Sequence, residues 1–187
     1  GYLRETHMVS FMNRSFGFSA ASIAPDRSFP RADHVDLDRY MRDWYVIAHI
    51  PPRITKTAHH SIERYRRNGN DRIDVTFTFR KDGPDGEHKT MNPTGFVVPD
   101  TGNAVWAMQF IWPIKMQFVV SYVDADYQTT IVARERRDFV WIMAITPQIS
   151  DDAYAGLVER VRQTGYDISR LRKVPQQSAT AGMQSTG

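Results

Sequence analysis

Residues 104–123 read AVWAMQFIWPIKMQFVVSYV, and large apolar side chains recur there at every second position. Trp106, Met108 and Phe110 share one parity before the Trp-Pro pair, and Phe118 resumes the alternation after it. A period of two is typical of β-strands, in which successive side chains point to opposite faces of the sheet. The stretch therefore predicts two antiparallel strands, joined as a hairpin, with one apolar face.

Segments of the same kind lie on both sides of this hairpin, and turns rich in Gly, Asn and Asp separate them. These residue types tolerate the positive φ that tight hairpins require. Short strands at regular intervals with such turns are typical of an antiparallel barrel or sandwich. Eight strands are predicted, at residues 44–50, 58–66, 73–80, 89–98, 104–110, 115–123, 129–134 and 139–145.

A helix is predicted after the last strand. Ser150 can cap its first turn, and Asp151 and Asp152 favour the positive end of the helix dipole. Gly165 provides a stop signal. Apolar residues recur between them at helical spacing, so that one stripe can pack against the outside of the sheet. The residues of this stripe are Tyr154, Leu157, Val158 and Val161.

Length and composition bound the domain organisation. A chain of 187 residues with 41% hydrophobic residues can bury one sizeable core, so we expect a single domain, at residues 34–174. Residues 1–33 show no sustained period and are expected to be an N-terminal extension, of which residues 1–8 are a candidate cloning remnant. Residues 175–187, rich in Gln, Ser, Thr, Ala and Gly, are expected to be a flexible tail.

The composition argues against several classes of chemistry. The chain has no Cys, which rules out disulfides, Cys-ligated zinc and a thiol nucleophile. It contains neither a nucleophile elbow nor a Gly-rich phosphate loop. His59 and His60 are neighbours on a strand and point to opposite faces, so they cannot chelate one ion. The formal net charge of +3 is small, and the basic residues do not form a recognisable nucleic-acid-binding module. We therefore expect no catalytic residue, no metal, no cofactor and no nucleic-acid partner.

One parity of each predicted strand is consistently apolar, and we assign it to the interior. The interior is then rich in aromatic residues and Met, which suit a flexible hydrophobic ligand. An eight-stranded barrel is wide enough either to be filled by side chains or to hold one small ligand, so a packed core is an alternative. The predicted ligand-binding wall comprises Val46, Ala48, Glu63, Tyr65, Val75, Phe77, Phe79, Trp106, Met108, Phe110, Phe118, Val120, Tyr122 and Trp141.

Glu63 breaks the apolar rule on the second strand, since its parity with Tyr65 points it inward. A carboxylate in an apolar interior is costly unless it is paired or protonated. It could bind the polar head of a ligand, be satisfied by a neighbouring Tyr or Arg, or reflect an error in the predicted register. His59 has the same parity but lies about 13 Å away along the strand. That separation argues against a His-Glu acid–base pair.

Several stretches resemble the motifs of bacterial lipocalins of the outer-membrane-lipoprotein type. The first lipocalin motif has a Trp, here Trp44, that closes the floor of the barrel. The order and spacing of the motifs hold over residues 34–175, so the resemblance covers most of the chain. The stretches are DLDRYMRDWYVIA at 36–48, FIWPI at 110–114, YVDADY at 122–127, WIMAITPQISD at 141–151 and GYDIS at 165–169.

The resemblance implies an all-β fold: an eight-stranded antiparallel up-and-down β-barrel, or calyx, with one C-terminal α-helix packed outside. It implies carriage of a fatty acid or lysophospholipid and a role in envelope lipid transport or maintenance. It also implies a place in the periplasm or outer membrane of a Gram-negative bacterium, with membrane association and a homodimer as further expectations. Arg53, Lys56 and His59, on or beside the loop over the calyx, are the predicted mouth residues.

Two departures from the family pattern fall at the barrel floor. Arg42 stands where the first motif has Gly, and Ile145 stands where an Arg normally packs over Trp44. We therefore expect Trp44 and Ile145 to close the floor by apolar packing instead of a cation–π contact.

Three functions remain open at this point. The leading hypothesis is a carrier of a hydrophobic ligand without enzymatic activity. The second is a lipid-modifying enzyme, an isomerase or esterase, with Glu63 as base and Tyr65 or Tyr122 as proton donor. The third is a filled barrel that acts as an interaction protein.

Overall fold

The structure is a computed structural model that describes residues 23–177, and these residues form ten strands and two α-helices. The helices are α1, Leu37–Tyr40, and α2, Asp151–Gln163. The strands are β1 Asp43–Ile50, β2 Ala58–Asn68, β3 Arg72–Lys81, β4 His88–Met91, β5 Thr94–Val97, β6 Val105–Ile111, β7 Ile114–Val123, β8 Thr129–Ala133, β9 Val140–Ala144 and β10 Arg172–Lys173.

The strands close into one antiparallel barrel. Consecutive strands pair around the sheet, and β9 pairs back with β1, where Met143 faces Val46. The fourth strand position is shared by β4 and β5, which both pair with β3. Pro93 separates these two strands, because it has no N–H to donate to the ladder. The barrel therefore has eight positions, which confirms the predicted up-and-down topology, and the short β10 adds to β1.

Helix α2 packs against the outside of this barrel, as predicted. Its first turn is capped by Ser150, whose Oγ accepts the N–H of Ala153 at 3.1 Å. Leu157 and Val161 are buried in an outer cluster that includes Val119 of the barrel wall. The interior of the barrel forms a separate apolar cluster. The wall thus carries apolar side chains on both faces wherever the helix covers it.

Aromatic rings fill the floor end of the barrel. Asp36 caps α1, which places Tyr40 in a stack with Tyr65 at a ring-centroid distance of 5.6 Å. Trp106 meets these two rings edge-on at 5.7 and 5.3 Å. Trp44 donates from Nε1 to the carbonyl of Tyr40 at 3.1 Å. We call Tyr40, Trp44, Tyr65 and Trp106 the floor cluster, since their packing seals this end.

The expectation of a floor without a cation is wrong. The guanidinium carbon of Arg42 lies 6.0 Å from the ring centroid of Trp44, at the outer limit of a cation–π contact. Arg42 also donates from Nη1 to the carbonyl of Tyr127 at 2.9 Å. Ile145 packs against the interior cluster without a charge. The residue two positions before Trp44 therefore provides the cation that Ile145 cannot.

We expect Arg42→Ala to lower the free energy of unfolding by about 1 kcal/mol, because it removes one cation–π contact and one hydrogen bond near the surface. Urea unfolding measures the change. Arg136→Ala, which truncates an exposed arginine at the other end of the barrel, should change the free energy by less than about 0.5 kcal/mol. Equal stability of the two variants would contradict the role assigned to Arg42.

Two β-bulges reverse the predicted alternation on the wall. In β1 the ladder to β9 shifts between Val46 and Ala48, so that Val46 lies in the interior cluster and Ala48 in the outer one. In β7 the ladder to β8 shifts between Val120 and Tyr122. Tyr122 then faces outward, with the guanidinium carbon of Arg160 at 3.8 Å from its ring centroid. The predictions that Ala48 and Tyr122 line the interior are wrong, because a bulge adds one residue and inverts the parity beyond it.

A third bulge lies in β2 at His60, which has a φ of 49°. Beyond it, His59 pairs with Arg80 of β3. Arg80 follows the interior residue Phe79, so this cross-strand pair lies on the outer face. Contrary to the prediction, His59 faces away from the interior and does not share a face with Glu63.

Short segments on both sides of the predicted domain contact the barrel. Ala32, within the predicted extension, donates its N–H to a β7 carbonyl at 3.0 Å. Gln176, within the predicted tail, donates from Nε2 to carbonyls of β1 and β2 at 2.9 and 3.0 Å and so bridges the two strands. The predicted tails span residues 1–33 and 175–187, and their outer parts, residues 1–22 and 178–187, lie outside the described residues.

Candidate functional site

A cavity of about 50 Å³ lies inside the barrel, between the floor cluster and the opposite end. The loop between β1 and β2 covers it, and Pro52, Ile54 and Thr55 of that loop line its upper side. The wall is mostly apolar and comprises Val75, Phe77, Met91, Pro93, Met108, Phe110, Met116, Phe118 and Trp141. We call the end covered by this loop the mouth.

The cavity is narrow in this conformation. Pockets that hold small molecules usually measure roughly 300–1,000 Å³, several times the open volume here. A ligand must therefore displace wall side chains as it enters. Met91, Met108 and Met116 suit this movement, since Met has three rotatable bonds and fills irregular spaces. The arrangement favours a slender and flexible ligand over a rigid, bulky one.

Glu63 reaches the cavity from its floor side. It lies on β2, paired with Trp44 of β1 and Phe77 of β3, and only 8% of its surface is exposed. The hydroxyl of Tyr65 donates to Glu63 Oε2. The predicted inward orientation thus agrees with the structure, and a neighbouring Tyr satisfies the carboxyl group.

Burial controls the protonation of this pair. Desolvation raises the pKa of Glu63 to about 7, and the hydrogen bond from Tyr65 opposes the rise. Burial, with the nearby carboxylate, raises the pKa of Tyr65 well above its usual range. Tyr65 therefore stays a hydrogen-bond donor, whereas Glu63 changes between neutral and charged forms near neutral pH.

Arg134 provides a second buried polar group on the cavity lining. Only 4% of its surface is exposed, and burial lowers its pKa from the usual arginine value. Its Nε donates to Asp138 Oδ1 at 2.9 Å, and its Nη1 donates to the carbonyl of Gln117 at 3.3 Å. Arg134 follows the mouth end of β8, so the cavity has an arginine towards the mouth and a carboxyl group towards the floor.

Arg134 is a candidate site residue that the sequence prediction missed. The cluster at residues 134–137 looks like solvated turn charge, because three of its four residues are Arg. The signal that could have found it is parity, since Arg134 lies two residues after Val132, which faces the interior.

The other predicted wall residues divide into two layers. Seven of them line the cavity itself: Glu63, Val75, Phe77, Met108, Phe110, Phe118 and Trp141. Five more belong to the interior cluster without lining the cavity: Val46, Tyr65, Phe79, Trp106 and Val120. Arg53 and Lys56 are exposed on the mouth loop.

The structure brings one of the two predicted proton donors, Tyr65, into a hydrogen bond with Glu63 and separates the other from it. Tyr122 lies on the outer face, so it cannot act as a proton donor beside Glu63. Within residues 23–177, no three His, Cys, Asp or Glu side chains are grouped closely enough to hold a metal ion. No helix in the same range is both long and apolar enough to cross a membrane.

The closed antiparallel barrel with an apolar interior and an external helix defines the class of protein. Residues 35–176 match the family model of the lipocalin-like domain, and the chain belongs to the lipocalin family. This agrees with the resemblance found in the motifs.

Similar proteins come from plants and bacteria. Temperature-induced lipocalin-1 of Arabidopsis thaliana is 31% identical over 178 residues, which cover 82% of this chain and 88% of the plant protein. Outer membrane lipoprotein Blc of Citrobacter freundii is 27% identical over 173 residues, which cover 86% of this chain and 90% of that protein. The chain is thus a lipocalin similar to the Blc type.

Solved structures share the fold at low sequence identity. Insecticyanin from the tobacco hornworm Manduca sexta has a TM-score of 0.63 at 18% identity, and the match covers 84% of this chain and 88% of that one. Lobster apocrustacyanin A1 has a TM-score of 0.61 at 14% identity, with coverage of 86% and 98%. The family supports binding of a hydrophobic ligand as the general function.

Proposed function

We propose that this lipocalin binds and carries a single-chain lipid, a fatty acid or a lysophospholipid, in the barrel cavity, without enzymatic activity. The observation that carries the proposal is the narrow apolar cavity, lined by three Met and four aromatic side chains. A linear acyl chain is flexible and slender, so it can pass between side chains that rearrange. It would gain roughly 0.8 kcal/mol for each CH₂ group removed from water.

The polar groups of the cavity favour one orientation of this ligand. Arg134 lies towards the mouth, where a carboxylate or phosphate head group can accept its hydrogen bonds. Arg53 and Lys56 add positive charge on the exposed mouth loop. The end of the acyl chain then lies towards Glu63, whose protonated form is the less costly neighbour for an apolar group. We therefore propose a bound state with the head group at the mouth.

We also propose a role in envelope lipid transport or maintenance in a Gram-negative bacterium. Similarity to outer membrane lipoprotein Blc from Citrobacter freundii and Escherichia coli supports this role. Similarity to the Arabidopsis protein supports the ligand-binding fold equally well.

Filling the cavity should abolish binding without unfolding the barrel. Val75→Phe places a phenyl ring in the open volume, and Thr76→Phe places the same ring on the outer face of the same strand. We expect Val75→Phe to weaken binding of oleate or lysophosphatidylcholine at least tenfold, while Thr76→Phe binds like the parent protein. Isothermal titration calorimetry below the micelle concentration measures both affinities, and circular dichroism confirms the fold.

The outcomes distinguish the proposed carrier from its alternatives. Equal affinity in the two variants would place the ligand outside the cavity and contradict the proposal. Absence of binding in the parent protein would favour a filled barrel that acts through its outer surface.

A further inference from the structure

The exposed large apolar side chains cluster at one end of the barrel. Within the part of the chain that the structure describes, three large hydrophobic residues are exposed: Trp112 at 81%, Ile111 at 43% and Ile54 at 37%. Strand direction places all three at the mouth. The β6 strand begins beside the floor residue Trp106 and ends at Ile111, and the loop that carries Ile54 covers the cavity.

Both segments that carry these residues also line the cavity. Ile54 itself contributes to the lining, and Phe110 and Met116 flank the turn that carries Trp112. The exposed apolar groups therefore surround the entrance of the ligand site. Trp112 is the most exposed of them and lies in the turn between β6 and β7.

The charge of these two segments is of one sign. Residues 51–57 and 110–115 contain Arg53, Lys56 and Lys115, and they contain no Asp or Glu. The amino group of Lys115 lies on the outer wall, 4.1 Å from the ring centroid of Phe96, which the guanidinium carbon of Arg72 also approaches at 5.2 Å. Arg53 and Lys56 therefore provide the positive charge at the mouth itself. Exposed apolar side chains flanked by basic residues are complementary to a surface that combines negative charge with an accessible apolar layer.

Acidic residues at the same end lie on two other loops: Asp82, Asp85 and Glu87 between β3 and β4, and Glu135 and Asp138 between β8 and β9. Asp82 Oδ1 accepts a hydrogen bond from the hydroxyl of Thr57 at 2.6 Å, and Glu87 forms an ion pair with Lys89 at 2.9 Å. Asp82 thus contacts the end of the mouth loop at Thr57, whereas Glu87 is paired with Lys89 and Asp138 with Arg134. The segments around Trp112 and Ile54 keep their basic character.

We propose that the mouth rim, defined as Arg53, Ile54, Lys56, Ile111 and Trp112, docks on the surface of an anionic phospholipid bilayer. Trp prefers the boundary between lipid head groups and acyl chains, where its ring is apolar and its N–H can be hydrated. Lys and Arg next to it are attracted by anionic head groups. The cavity entrance then faces the lipid, so an acyl chain could pass between bilayer and barrel with little exposure to water.

A second copy of this chain is the less favourable partner for the mouth rim. Stable interfaces bury roughly 800 Å² on each partner, which three exposed apolar side chains do not provide. A symmetric dimer through this surface would also bring the basic residues of both copies together. A lipid surface meets neither obstacle.

The test uses the full chain with vesicles of phosphatidylcholine, with and without phosphatidylglycerol. We expect co-sedimentation with the anionic vesicles and a blue shift of Trp emission, since Trp112 is the most exposed tryptophan of the described residues. Trp112→Ala should lower the vesicle partition coefficient at least tenfold and abolish the shift.

A charge-matched pair of variants tests the basic residues. The double variant R53Q/K56Q should lose at least tenfold in partition to anionic vesicles. R66Q/R67Q removes the same charge from the β2–β3 hairpin at the floor end and should lose less than threefold. Equal losses in the two double variants would reduce the effect to net charge and overturn the proposal.

The proposal goes beyond the proposed function and can fail separately from it. Trp112→Ala should bind dispersed lysophosphatidylcholine with unchanged affinity in the absence of vesicles. Equal loss in both assays would show that Trp112 acts on the cavity and would overturn the docking role. Undiminished vesicle binding by Trp112→Ala would overturn it as well, as would Trp112-dependent dimerisation in analytical ultracentrifugation without vesicle binding.

Discussion

We expect Trp106→Ala to lower the free energy of unfolding by about 3–5 kcal/mol, the range for deletion of a large aromatic side chain from a core. The indole is fully buried. It meets Tyr40 and Tyr65 edge-on and stacks on Phe118 at a centroid distance of 5.4 Å. Its Nε1 donates to the carbonyl of Asn103 at 2.9 Å. Truncation therefore leaves a void in the floor cluster and removes a hydrogen bond at once.

Urea unfolding followed by far-UV circular dichroism measures this loss. Trp112→Ala is the matched control, because it deletes the same side chain from an exposed turn and should change the free energy by less than about 0.5 kcal/mol. Similar stabilities of the two variants would contradict a floor built on Trp106.

The second large effect is on the pH dependence of stability and comes from Glu63. Its pKa is about 7 in the folded protein against 4.5 in the unfolded chain. Between these values the folded state holds a proton that the unfolded state has lost. The contribution of Glu63 is therefore complete below pH 4.5 and is lost as the pH rises through 7, by about 3 kcal/mol in total.

Comparison with Glu63→Gln isolates this contribution. The amide does not titrate, so the stability of the variant relative to the parent protein should rise by about 3 kcal/mol between pH 4.5 and 7. Burial lowers the pKa of His49 to about 4, which makes stability rise with pH over part of the same range. His49 is common to both proteins and cancels in the difference.

Chemical denaturation across this pH range gives the result. Glu159→Gln, on the exposed face of α2, is the matched control. Arg162 lowers the pKa of Glu159 below its usual 4.5, so its difference from the parent protein should change little as the pH rises towards 7, and any change near pH 4.5 should have the opposite sign. A constant difference for Glu63→Gln would mean that the carboxyl group is hydrated and does not face the closed interior.

The strands were predictable because the barrel interior requires an apolar side chain at every second position of a strand. Val75, Phe77 and Phe79 lie in the interior as the alternation requires. The motif around Trp44 was equally informative, because the first strand and the floor helix are contiguous in sequence. Local periodicity and a contiguous motif therefore suffice for the strands, their order and the closed barrel.

The bulges were not predictable from the alternation. Ala48 and Tyr122 are apolar or amphipathic residues that suit either face of the sheet. Their residue types therefore give no indication of the β-bulges. Their outward orientation depends on the ladders to β9 and β8, and on apolar cover from α2. Parity fails where the barrel wall is buried on both sides, because each face then accepts the same residue types.

The positions of two arginines were also not predictable from the sequence pattern. Arg42 reaches the ring of Trp44, and Arg134 lines the cavity while paired with Asp138. Sequence composition favours a solvated position for both. Their placement depends on partners that only the closed barrel brings close, above all the carbonyl of Tyr127 for Arg42.

Native mass spectrometry with increasing lysophosphatidylglycerol tests the central claim most directly, that the cavity carries one single-chain lipid. We predict one saturable adduct per chain, lost in Val75→Phe and retained in Thr76→Phe. A protein that stays free of lipid, or that takes up several lipids without saturation and equally in both variants, would contradict the account.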